Sequence, residues 1–408
     1  MYFFKKSKFV LSILAISIFF IFLFFQNCGS SSSGKATSDV VGTVDSGAAG
    51  SSPDDIGEDS TLPPKEPVIK TGLTGVAVGE NHQCVIVSGE VKCWGRNLLG
   101  AVGNGEQRDY ATTAQVIKSD AVDIAAGENF SCSVRSSGSL SCWGDNSFGA
   151  VTGEFDGRVY SSPVELISSG VTQVSGYKHW GCALVNTAVQ CWGGMSDYSP
   201  LVGIGLEPRK IWTIIPSGAT QVSVGGYHAC AILKGGEVKC WGQNMMGQLG
   251  SRAAGNVLLP PDVAIERGAT FVSSGHVHTC AVVAEALYCW GQNMWGQLGT
   301  GSNMPYMITT PTKVISSGVK MVAAGLAHTC VLMKTGSVQC WGRNEFGQVG
   351  DGSIETAYSP KGTSIKGDAT SISVNNYTSC AIVLNKLKCW GRENQNFEVV
   401  NAPKDEAL

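Results

Sequence analysis

Residues 328–352 read HTCVLMKTGSVQCWGRNEFGQVGDG, and this stretch decides the fold. A histidine precedes the first cysteine, a second cysteine follows ten residues after the first, and Trp-Gly leads into a glycine-rich tail. A single copy is compatible with a metal site, a redox site or a structural hairpin. Because self-similarity at a fixed period outranks any local motif, the number of copies decides between these interpretations.

The stretch recurs in seven copies, whose first cysteines are spaced by 48 or 50 residues. These cysteines are Cys84, Cys132, Cys182, Cys230, Cys280, Cys330 and Cys380. A period of this length over a chain of 408 residues indicates a repeat architecture. The composition agrees, because 52 glycines and only 15% charged residues suit many short strands joined by turns.

The spacing of the cysteines within each copy indicates a β-hairpin. Eight intervening residues fit a two-residue turn and nine fit a three-residue turn, which favours glycine at its last position. Gly138, Gly236 and Gly336 occupy that position in the three longer copies. Both spacings place the two cysteines opposite each other, at a Cα separation of about 4.5 Å that a disulfide can bridge.

We therefore predict one disulfide within each hairpin, with pairing between repeats as the alternative that would abandon this register. The predicted pairs are Cys84–Cys93, Cys132–Cys142, Cys182–Cys191, Cys230–Cys240, Cys280–Cys289, Cys330–Cys340 and Cys380–Cys389. They use fourteen of the 15 cysteines and leave Cys28 for another role.

Each repeat has enough sequence for four short strands. Apolar segments such as Val319–Gly325 precede the hairpin, and segments such as Pro311–Gly318 lie between repeats. We predict an all-β fold, a seven-bladed β-propeller of four-stranded antiparallel blades, over residues 66–400 with a tail at 401–408. Pro67–Lys70 is expected to complete the seventh blade and close the ring, and Phe397–Val400 is the alternative.

The N-terminus predicts export. Lys5, Lys6 and Lys8 precede the apolar run Phe9–Phe25, the pattern of a signal peptide, although an uncleaved signal anchor is the alternative. Cys28 follows in FFQNCGSSSS, which resembles the cleavage box of bacterial lipoproteins, in which that cysteine is lipidated. We predict a signal segment at 1–27 and a flexible Ser/Gly/Asp tether at 28–65. The resemblance implies an outer-membrane lipoprotein of the cell envelope, and a secreted or signal-anchored extracytoplasmic protein is the alternative.

The repeat resembles the regulator of chromosome condensation repeat, through Gly-x-x-His-Thr-Cys-Ala and Cys-Trp-Gly-x-Asn-x-x-Gly-Gln-Leu-Gly. The resemblance covers about Pro67 to Arg392; the third copy departs from it after Trp192 and the seventh lacks its tail. It implies a seven-bladed propeller. The founding member acts in the nucleus on a small GTPase and chromatin. An exported chain is in a different compartment from that GTPase, and a net charge of −3 does not favour binding to DNA, so we predict no nucleic-acid partner. Secreted bacterial relatives include a propeller that caps β-lactamases, which implies binding of a protein or surface ligand.

The repeated polar and aromatic residues are interpreted as scaffold. Disulfide-bonded cysteines cannot be thiolate ligands, so the histidines that precede them are assigned structural roles, hydrogen-bonded within a blade, and no metal or cofactor is predicted. His276 and His278 form a weak alternative metal pair. The Trp of Cys-Trp-Gly and the Asn-x-x-Gly turns are assigned to packing and to turn formation. The histidines concerned are His82, His179, His228, His278 and His328.

Residues that differ between repeats are the better candidates for binding, because recognition residues tend to lie on loops carried by a rigid scaffold. Methionine and aromatic residues, which are enriched at protein interfaces, cluster in the loops of the fourth and fifth repeats. The candidate binding residues are Met245, Met246, Met294, Trp295, Met304, Tyr306 and Met307. We predict a monomeric, non-enzymatic binding scaffold. One alternative is a hydrolase with its site at the central channel, which partly buried acids or histidines at the channel would favour. The other alternative is a purely structural envelope protein.

Overall fold

The computed structural model describes residues 72–118, 120–194, 211–251, 257–392 and 399–407. All of them lie in one compact unit, Glu66–Leu408. The predicted signal segment, Cys28, the tether and Pro67–Lys70 lie outside the described residues. Among the residues described, no helix is long and apolar enough to cross a membrane.

The described chain forms seven four-stranded antiparallel sheets, which confirms the predicted seven-bladed propeller. The first three blades comprise β1 (Leu73–Val78), β2 (His82–Val87), β3 (Glu90–Arg96) and β4 (Tyr110–Lys118); β5 (Ala121–Ala126), β6 (Phe130–Arg135), β7 (Leu140–Asp145) and β8 (Val159–Ile167); and β9 (Val171–Tyr177), β10 (Trp180–Val185), β11 (Ala188–Gly193) and β12 (Trp212–Ile215). Blades four and five comprise β13 (Ala219–Val224), β14 (His228–Leu233), β15 (Val238–Gly242) and β16 (Val257–Ile265); and β17 (Ala269–Ser274), β18 (His278–Val283), β19 (Ala286–Gln292) and β20 (Met307–Ile315). Blades six and seven comprise β21 (Val319–Ala324), β22 (His328–Met333), β23 (Val338–Gly342) and β24 (Ala357–Gly362); and β25 (Ala369–Val374), β26 (Thr378–Val383), β27 (Lys386–Arg392) and β28 (Val399–Asp405).

The strands of each blade follow one another in sequence order from the centre of the ring outward. The first strand of every blade lines a central channel of about 210 Å³. Because neighbouring strands are antiparallel, the loops after the first and third strands of each blade lie on one face, the upper face. The loops after the second and fourth strands lie on the other, the lower face. The channel mouth is the upper end of the channel, bordered by the loops between first and second strands.

The cysteine hairpins form as predicted. In all seven blades the two cysteines are direct cross-strand partners and form a disulfide, with Cα atoms 4.0–4.1 Å apart. Gly138, Gly236 and Gly336 have φ angles of 82°, 82° and 79°, the left-handed conformation that a three-residue hairpin loop requires at its last position. The pairing register of the two hairpin strands therefore follows from the length and conformation of the turn between them.

The seventh blade is completed by the C-terminal strand, so the expectation for Pro67–Lys70 is wrong. Strand β28 pairs with β27, with Lys404 opposite Cys389, and it extends to Asp405. The predicted tail therefore begins too early. A strand that follows β27 along the chain closes a short loop, at a lower entropic cost than pairing with a segment about three hundred residues away. The alternative Phe397–Val400 identified the correct end of the chain but only the start of the strand.

The ring closes by packing of the first blade against the seventh. The backbone N–H of Val78 donates to the Ser373 hydroxyl at 3.2 Å, and the Asn375 amide donates to the Val78 carbonyl at 2.9 Å. Leu73 and Ile382, from the two blades, share one buried apolar cluster. Among the described residues, closure thus depends on side-by-side contacts between blades, and each blade is built from consecutive strands.

Candidate functional site

The histidines that recur at the start of the second strand form a structural network between blades. His328 Nε2 lies 2.9 Å from Ser379 Oγ in the next blade, and that hydroxyl donates its only proton to the Gln348 carbonyl at 2.9 Å. His328 must therefore donate from Nε2. The indole N–H of Trp390 donates to the same carbonyl at 2.9 Å, so one oxygen joins a histidine, a hydroxyl and a tryptophan across the blade boundary.

Three other histidines repeat this arrangement. His82 pairs with Ser131 at 2.7 Å, His228 with Thr279 at 2.7 Å and His278 with Thr329 at 3.0 Å. Burial lowers the pKa of His82 to about 4 and the pKa values of His228, His278 and His328 to about 3, so all four rings are neutral. No group of three potential metal ligands occurs within the described part of the chain. The geometry agrees with a structural role for these four histidines, but the expectation of hydrogen bonds within a blade is wrong, because each ring bonds to the next blade.

His179 and His276 do not belong to this network, so their sequence-based assignments are corrected. The position of the buried histidines is occupied in the third blade by Trp180, and His179 lies beside it on the upper face. His276 precedes β18, whose first residue, His278, is buried between blades. His276 and His278 therefore do not form a metal pair, because the His278 ring is buried between blades and the His276 ring lies at the channel mouth.

The tryptophans and the Asn-x-x-Gly turns have the predicted scaffold roles. The seven Cys-Trp-Gly tryptophans are buried. In the upper loops the asparagine side chain accepts a hydrogen bond from the backbone five residues later, as Asn344 does from Val349 at 2.8 Å. The same bond orders the loop that carries Met294 and Trp295, where Asn293 accepts from Leu298 at 3.2 Å.

The predicted binding residues lie in loops of the upper face or directly after them. Met246 is half-buried, and the other six are exposed: Met245, Met294, Trp295, Met304, Tyr306 and Met307. Met294, Trp295, Met304 and Tyr306 occupy the single loop between β19 and β20, and Met307 begins β20. The structure thus places five of the seven together in the fifth blade.

Beside this loop lies an arginine–aromatic cluster that the sequence did not indicate, formed by Trp295, Arg343, Phe346, Tyr377 and Arg392. The Arg343 guanidinium lies 4.7 Å from the centre of the Trp295 ring, which is 39% exposed. Phe346 and Tyr377 pack edge to face at 5.0 Å. Both arginines lie within 5.9 Å of the centres of these two rings. The cluster extends the exposed surface of the fifth blade across the sixth to the seventh.

A second group of polar residues converges at the channel mouth. This mouth cluster consists of residues at the ends of first strands and in the loops that follow them: Glu80, Glu128, Tyr177, Lys178, His179, Tyr227, His276 and Asn376. Backbone hydrogen bonds join successive loops, because the Glu80 N–H donates to Gly127 at 3.1 Å and the Glu128 N–H donates to Lys178 at 2.8 Å. These bonds hold the two glutamates and Lys178 on adjacent segments of the rim.

Tyr177 crosses the channel mouth. Its hydroxyl donates to Asn376 Oδ1 at 2.9 Å, and the two residues belong to the third and seventh blades, which are not neighbours. The Tyr177 side chain is only 6% exposed. Burial and the nearby Glu80 raise its pKa well above the usual value, so the phenol remains protonated and can donate.

The charges of the mouth cluster are unevenly distributed. Glu128 accepts from His179 Nε2 at 3.1 Å, and this hydrogen bond lowers the Glu128 pKa. Burial and the Glu128 charge raise the pKa of Glu80. The Lys178 ammonium lies 3.4 Å from the Tyr227 hydroxyl and 4.9 Å from the centre of that ring. Carboxylates thus line the rim of the first two blades, and the cation lies toward the fourth.

The His276 ring packs against the same tyrosine. Its centre is 4.8 Å from the Tyr227 ring, and burial together with Lys178 lowers its pKa to about 4. A Cβ at Gly226 would lie 2.3 Å from His276 Nδ1, so glycine is required for this packing.

The sequence carried a signal for the mouth cluster. The three residues that directly precede the second strand of each blade read GEN, GEN, YKH, GGY, GHV, GLA and NNY around the ring. These positions vary and bear charges within an otherwise repetitive chain, which are the properties expected of binding residues. The convergence of these segments on one point depends on the closed ring.

Comparison with known proteins identifies the repeat. A model described as "Regulator of chromosome condensation (RCC1) repeat" matches residues 121–150, 219–248 and 319–348, and a second model of the same description matches residues 285–332. The chain is 26% identical over 355 residues to the ultraviolet-B receptor UVR8 of Arabidopsis thaliana, covering 82% of this chain and 79% of the receptor. It is 30% identical over 199 residues to the probable E3 ubiquitin-protein ligase HERC6 of Homo sapiens, covering 46% of this chain and 19% of that protein.

Two solved structures share the fold. Prp20p of Saccharomyces cerevisiae superposes with a TM-score of 0.67 at 18% identity, covering 83% of this chain and 86% of its own. Human WBSCR16 superposes with a TM-score of 0.68 at 18% identity, covering 78% of this chain and 94% of its own. At this identity the likeness concerns the architecture alone.

Proposed function

We propose that this seven-bladed propeller, in which four segments match models of the regulator of chromosome condensation repeat, is a monomeric, extracytoplasmic binding scaffold that is tethered to a membrane. It recognises a protein or cell-surface ligand through the loops of its upper face and carries out no chemistry on it. The partner presents apolar side chains to the methionines and aromatic residues of the fifth blade.

The stacking of Arg343 on Trp295 carries this proposal. It holds a large, partly exposed aromatic ring in a fixed position, so little side-chain entropy remains to be lost on binding. Tryptophan and arginine are the residues most enriched at the energetic centres of protein interfaces. The exposed Met294 lies next to Trp295 in the same loop and adds adaptable apolar surface.

The related proteins support a role in recognition. UVR8 is a receptor, and this chain aligns with most of its length. Prp20p, which shares the fold, has binding properties toward Gsp1p and histones. The probable ligase HERC6 is matched over only 19% of its length, so its activity is not transferred to this chain.

Two properties of the chain support the proposed location. Seven disulfides are typical of proteins from oxidising compartments, and the basic, apolar N-terminus is typical of an exported chain. Strand β1 begins on the lower face, so the polypeptide enters the propeller on the side opposite to the proposed binding surface. We propose attachment through lipidated Cys28, as an outer-membrane lipoprotein, with a signal anchor as the alternative.

Metabolic labelling with a radioactive fatty acid tests the attachment. The wild-type chain is expected to incorporate label and to sediment with membranes, and Cys28→Ser is expected to incorporate none. A Cys28→Ser variant that stays in the membrane without label would establish the signal anchor and contradict lipidation.

Cross-linking to intact cell envelopes tests the binding surface. Full-length Trp295→Ala/Arg343→Gln is expected to lose at least about tenfold in cross-linked partner relative to wild type, since central Trp and Arg residues dominate interface energies. Leu384→Ala is the matched control, because Leu384 is an exposed apolar residue of a lower-face turn. Equal cross-linking by all three proteins would show that the arginine–aromatic cluster is not the binding surface.

A hydrolase is the second candidate, because the mouth cluster contains the half-buried acids and imidazoles that such an enzyme requires. The Glu128–His179 pair has the composition of a general base. If it acts so, Glu128→Gln abolishes turnover of chromogenic esters, glycosides or peptides, whereas Glu90→Gln on the lower face leaves turnover unchanged. No turnover of any substrate by the wild-type protein would eliminate this candidate.

A further inference from the structure

Hydrogen-bond acceptors predominate around the channel mouth. Glu80 and Glu128 contribute carboxylates from adjacent blades. Of these two carboxylates, His179 is hydrogen-bonded to that of Glu128. Glu80 receives a hydrogen bond from the neutral Asn376 amide, and the nearby Lys178 ammonium offsets only part of the effect of burial and of Glu128 on its pKa. The pKa of Glu80 is raised because burial and the neighbouring carboxylate both disfavour the ionised form.

Two buried polar groups lack hydrogen-bond partners where the first strands approach the mouth. Asn375 is 4% exposed and lines the channel; its amide donates to the Val78 carbonyl, while its Oδ1 has no partner. The hydroxyl of Ser274, which is 3% exposed and also lines the channel, has none. Both groups can accept a hydrogen bond from a donor that enters the channel.

The mouth already holds one ammonium group, that of Lys178. It packs over the Tyr227 ring and contacts the Tyr227 hydroxyl. This geometry shows that an ammonium packs against the face of Tyr227 at the mouth. Tyr177 forms the floor of the same space. Aromatic faces attract cations, and the attraction increases when the site is partly desolvated.

We propose that the channel mouth is a second binding site, separate from the arginine–aromatic cluster, that recognises a primary ammonium group. An ammonium offers three donors and no acceptor, which matches a rim of carboxylates, an unpaired amide oxygen and tyrosine faces. Glu80 is its counter-ion. Lys178 is the internal competitor, since it occupies the aromatic surface in the free protein and its charge repels the incoming cation.

The ammonium can come from a free small amine or from a lysine side chain of a macromolecule, and the probes distinguish these sources. Isothermal titration calorimetry of the full-length protein would compare butylamine, Nα-acetyl-lysinamide and butyrate. We expect saturable binding of both amines and none of butyrate. Tighter binding of the lysine derivative would assign a peptide source, and equal binding would assign a free amine.

Four variants test the geometry. Glu80→Gln is expected to weaken butylamine binding by about tenfold or more, because it removes the charge from a hydrogen-bonded, half-buried site. Lys178→Met is expected to strengthen it several-fold. Glu90→Gln, at the lower end of the same blade, is the matched control and should leave the affinity unchanged. Trp295→Ala should also leave it unchanged, so that failure of this site and failure of the proposed partner surface are distinguishable.

The ammonium proposal is overturned if neither the wild-type protein nor Lys178→Met binds butylamine saturably, or if Glu80→Gln binds it as tightly as wild type. Stronger binding of butyrate than of butylamine would also overturn it. Because Lys178→Met is expected to gain affinity, a folding defect cannot produce its result. Near-ultraviolet circular dichroism of Glu80→Gln would verify that its tertiary structure is intact.

Discussion

His328 donates a hydrogen bond to Ser379 across the boundary between the sixth and seventh blades, at 2.9 Å. The same two positions covary around the ring. Where the first is histidine, the next blade presents Ser131, Thr279, Thr329 or Ser379; where it is Phe130 or Trp180, the next blade presents Gly181 or Ala229. A large aromatic ring therefore replaces both the imidazole and the hydroxyl. Six of the seven boundaries have one of these two complementary solutions, and the boundary between the seventh and first blades carries Thr378 and Gln83 instead.

His328→Phe is expected to destabilise the propeller by about 2–4 kcal/mol, through a lost buried hydrogen bond and overpacking against Ser379. The double variant His328→Phe/Ser379→Gly reproduces the solution of the second blade and should recover at least half of this loss. Urea unfolding of the wild type, both single variants and the double variant measures the coupling. Additive effects of the two substitutions would contradict the pairing.

Acid is expected to destabilise the propeller through the four buried histidines. Their pKa values of about 3–4 lie below the usual value near 6.5, so between these pH values the unfolded chain binds protons at the histidines and the native chain does not. This contribution to stability is complete above pH 6.5 and is lost as the pH falls toward 3–4. In a free energy of unfolding measured between pH 4 and 6, His328→Phe/Ser379→Gly should reduce the slope by about 1.4 kcal/mol per pH unit. An unchanged slope would show that His328 titrates normally.

Asp123→Asn is expected to stabilise the protein at high pH. Asp123 Oδ2 accepts the Val174 N–H at 2.8 Å, and burial raises the Asp123 pKa to about 6. The native state therefore favours the neutral acid, and this stabilisation, complete below pH 4, is lost as the pH rises through 6. Asparagine keeps the acceptor without the charge, so it should add about 1–3 kcal/mol at pH 8 and nothing at pH 3.5.

Asp120→Asn is the matched control for that experiment, because Asp120 is partly exposed and pairs with Arg135 at 3.4 Å. It should not stabilise the protein at any pH. Thermal unfolding at pH 3.5, 6 and 8 compares the variants. A gain for Asp123→Asn that does not depend on pH would contradict the assigned pKa.

Removal of the C-terminal strand is expected to open the seventh blade. Truncation after Arg392 deletes β28 and exposes the edge of β27, so the unfolding temperature should fall and the protein should aggregate. Deletion of residues 1–70 should leave the unfolding temperature unchanged, since β28 already occupies the outer position. The opposite ranking of the two truncations would restore the N-terminal strand as the closing element.

The hairpins and the C-terminal strand show how far local pattern extends. Gly336 at the end of a three-residue turn specified which residues face each other, so Cys330 and Cys340 could be paired without a structure. The C-terminal strand was also marked, because Pro403-Lys404 matches Pro360-Lys361 in the preceding blade, and both lysines lie opposite a cysteine. Pro67–Lys70 also resembles the segments between repeats, so local pattern alone does not distinguish the two ends of the chain, whereas the short connection from β27 favours the C-terminal strand.

His179 shows a similar limit. It lies three residues before Cys182, whereas His328 lies two residues before Cys330, and on a strand an offset of one residue turns the side chain to the opposite face. The spacing contained the information, but the residue type suggested that all five histidines were equivalent.

The number of blades, the cysteine pairs and the turn lengths follow from the amino-acid sequence, because each depends on residues close together along the chain. The contact of Tyr177 with Asn376 across the channel, between residues 199 apart, and the stacking of Arg343 on Trp295 become visible only in the folded ring. Closure of a ring brings every first strand to one axis, so contacts at the mouth depend on which residues the seven loops happen to carry. No periodicity encodes those residues, and their meeting follows from the geometry of the closed circle.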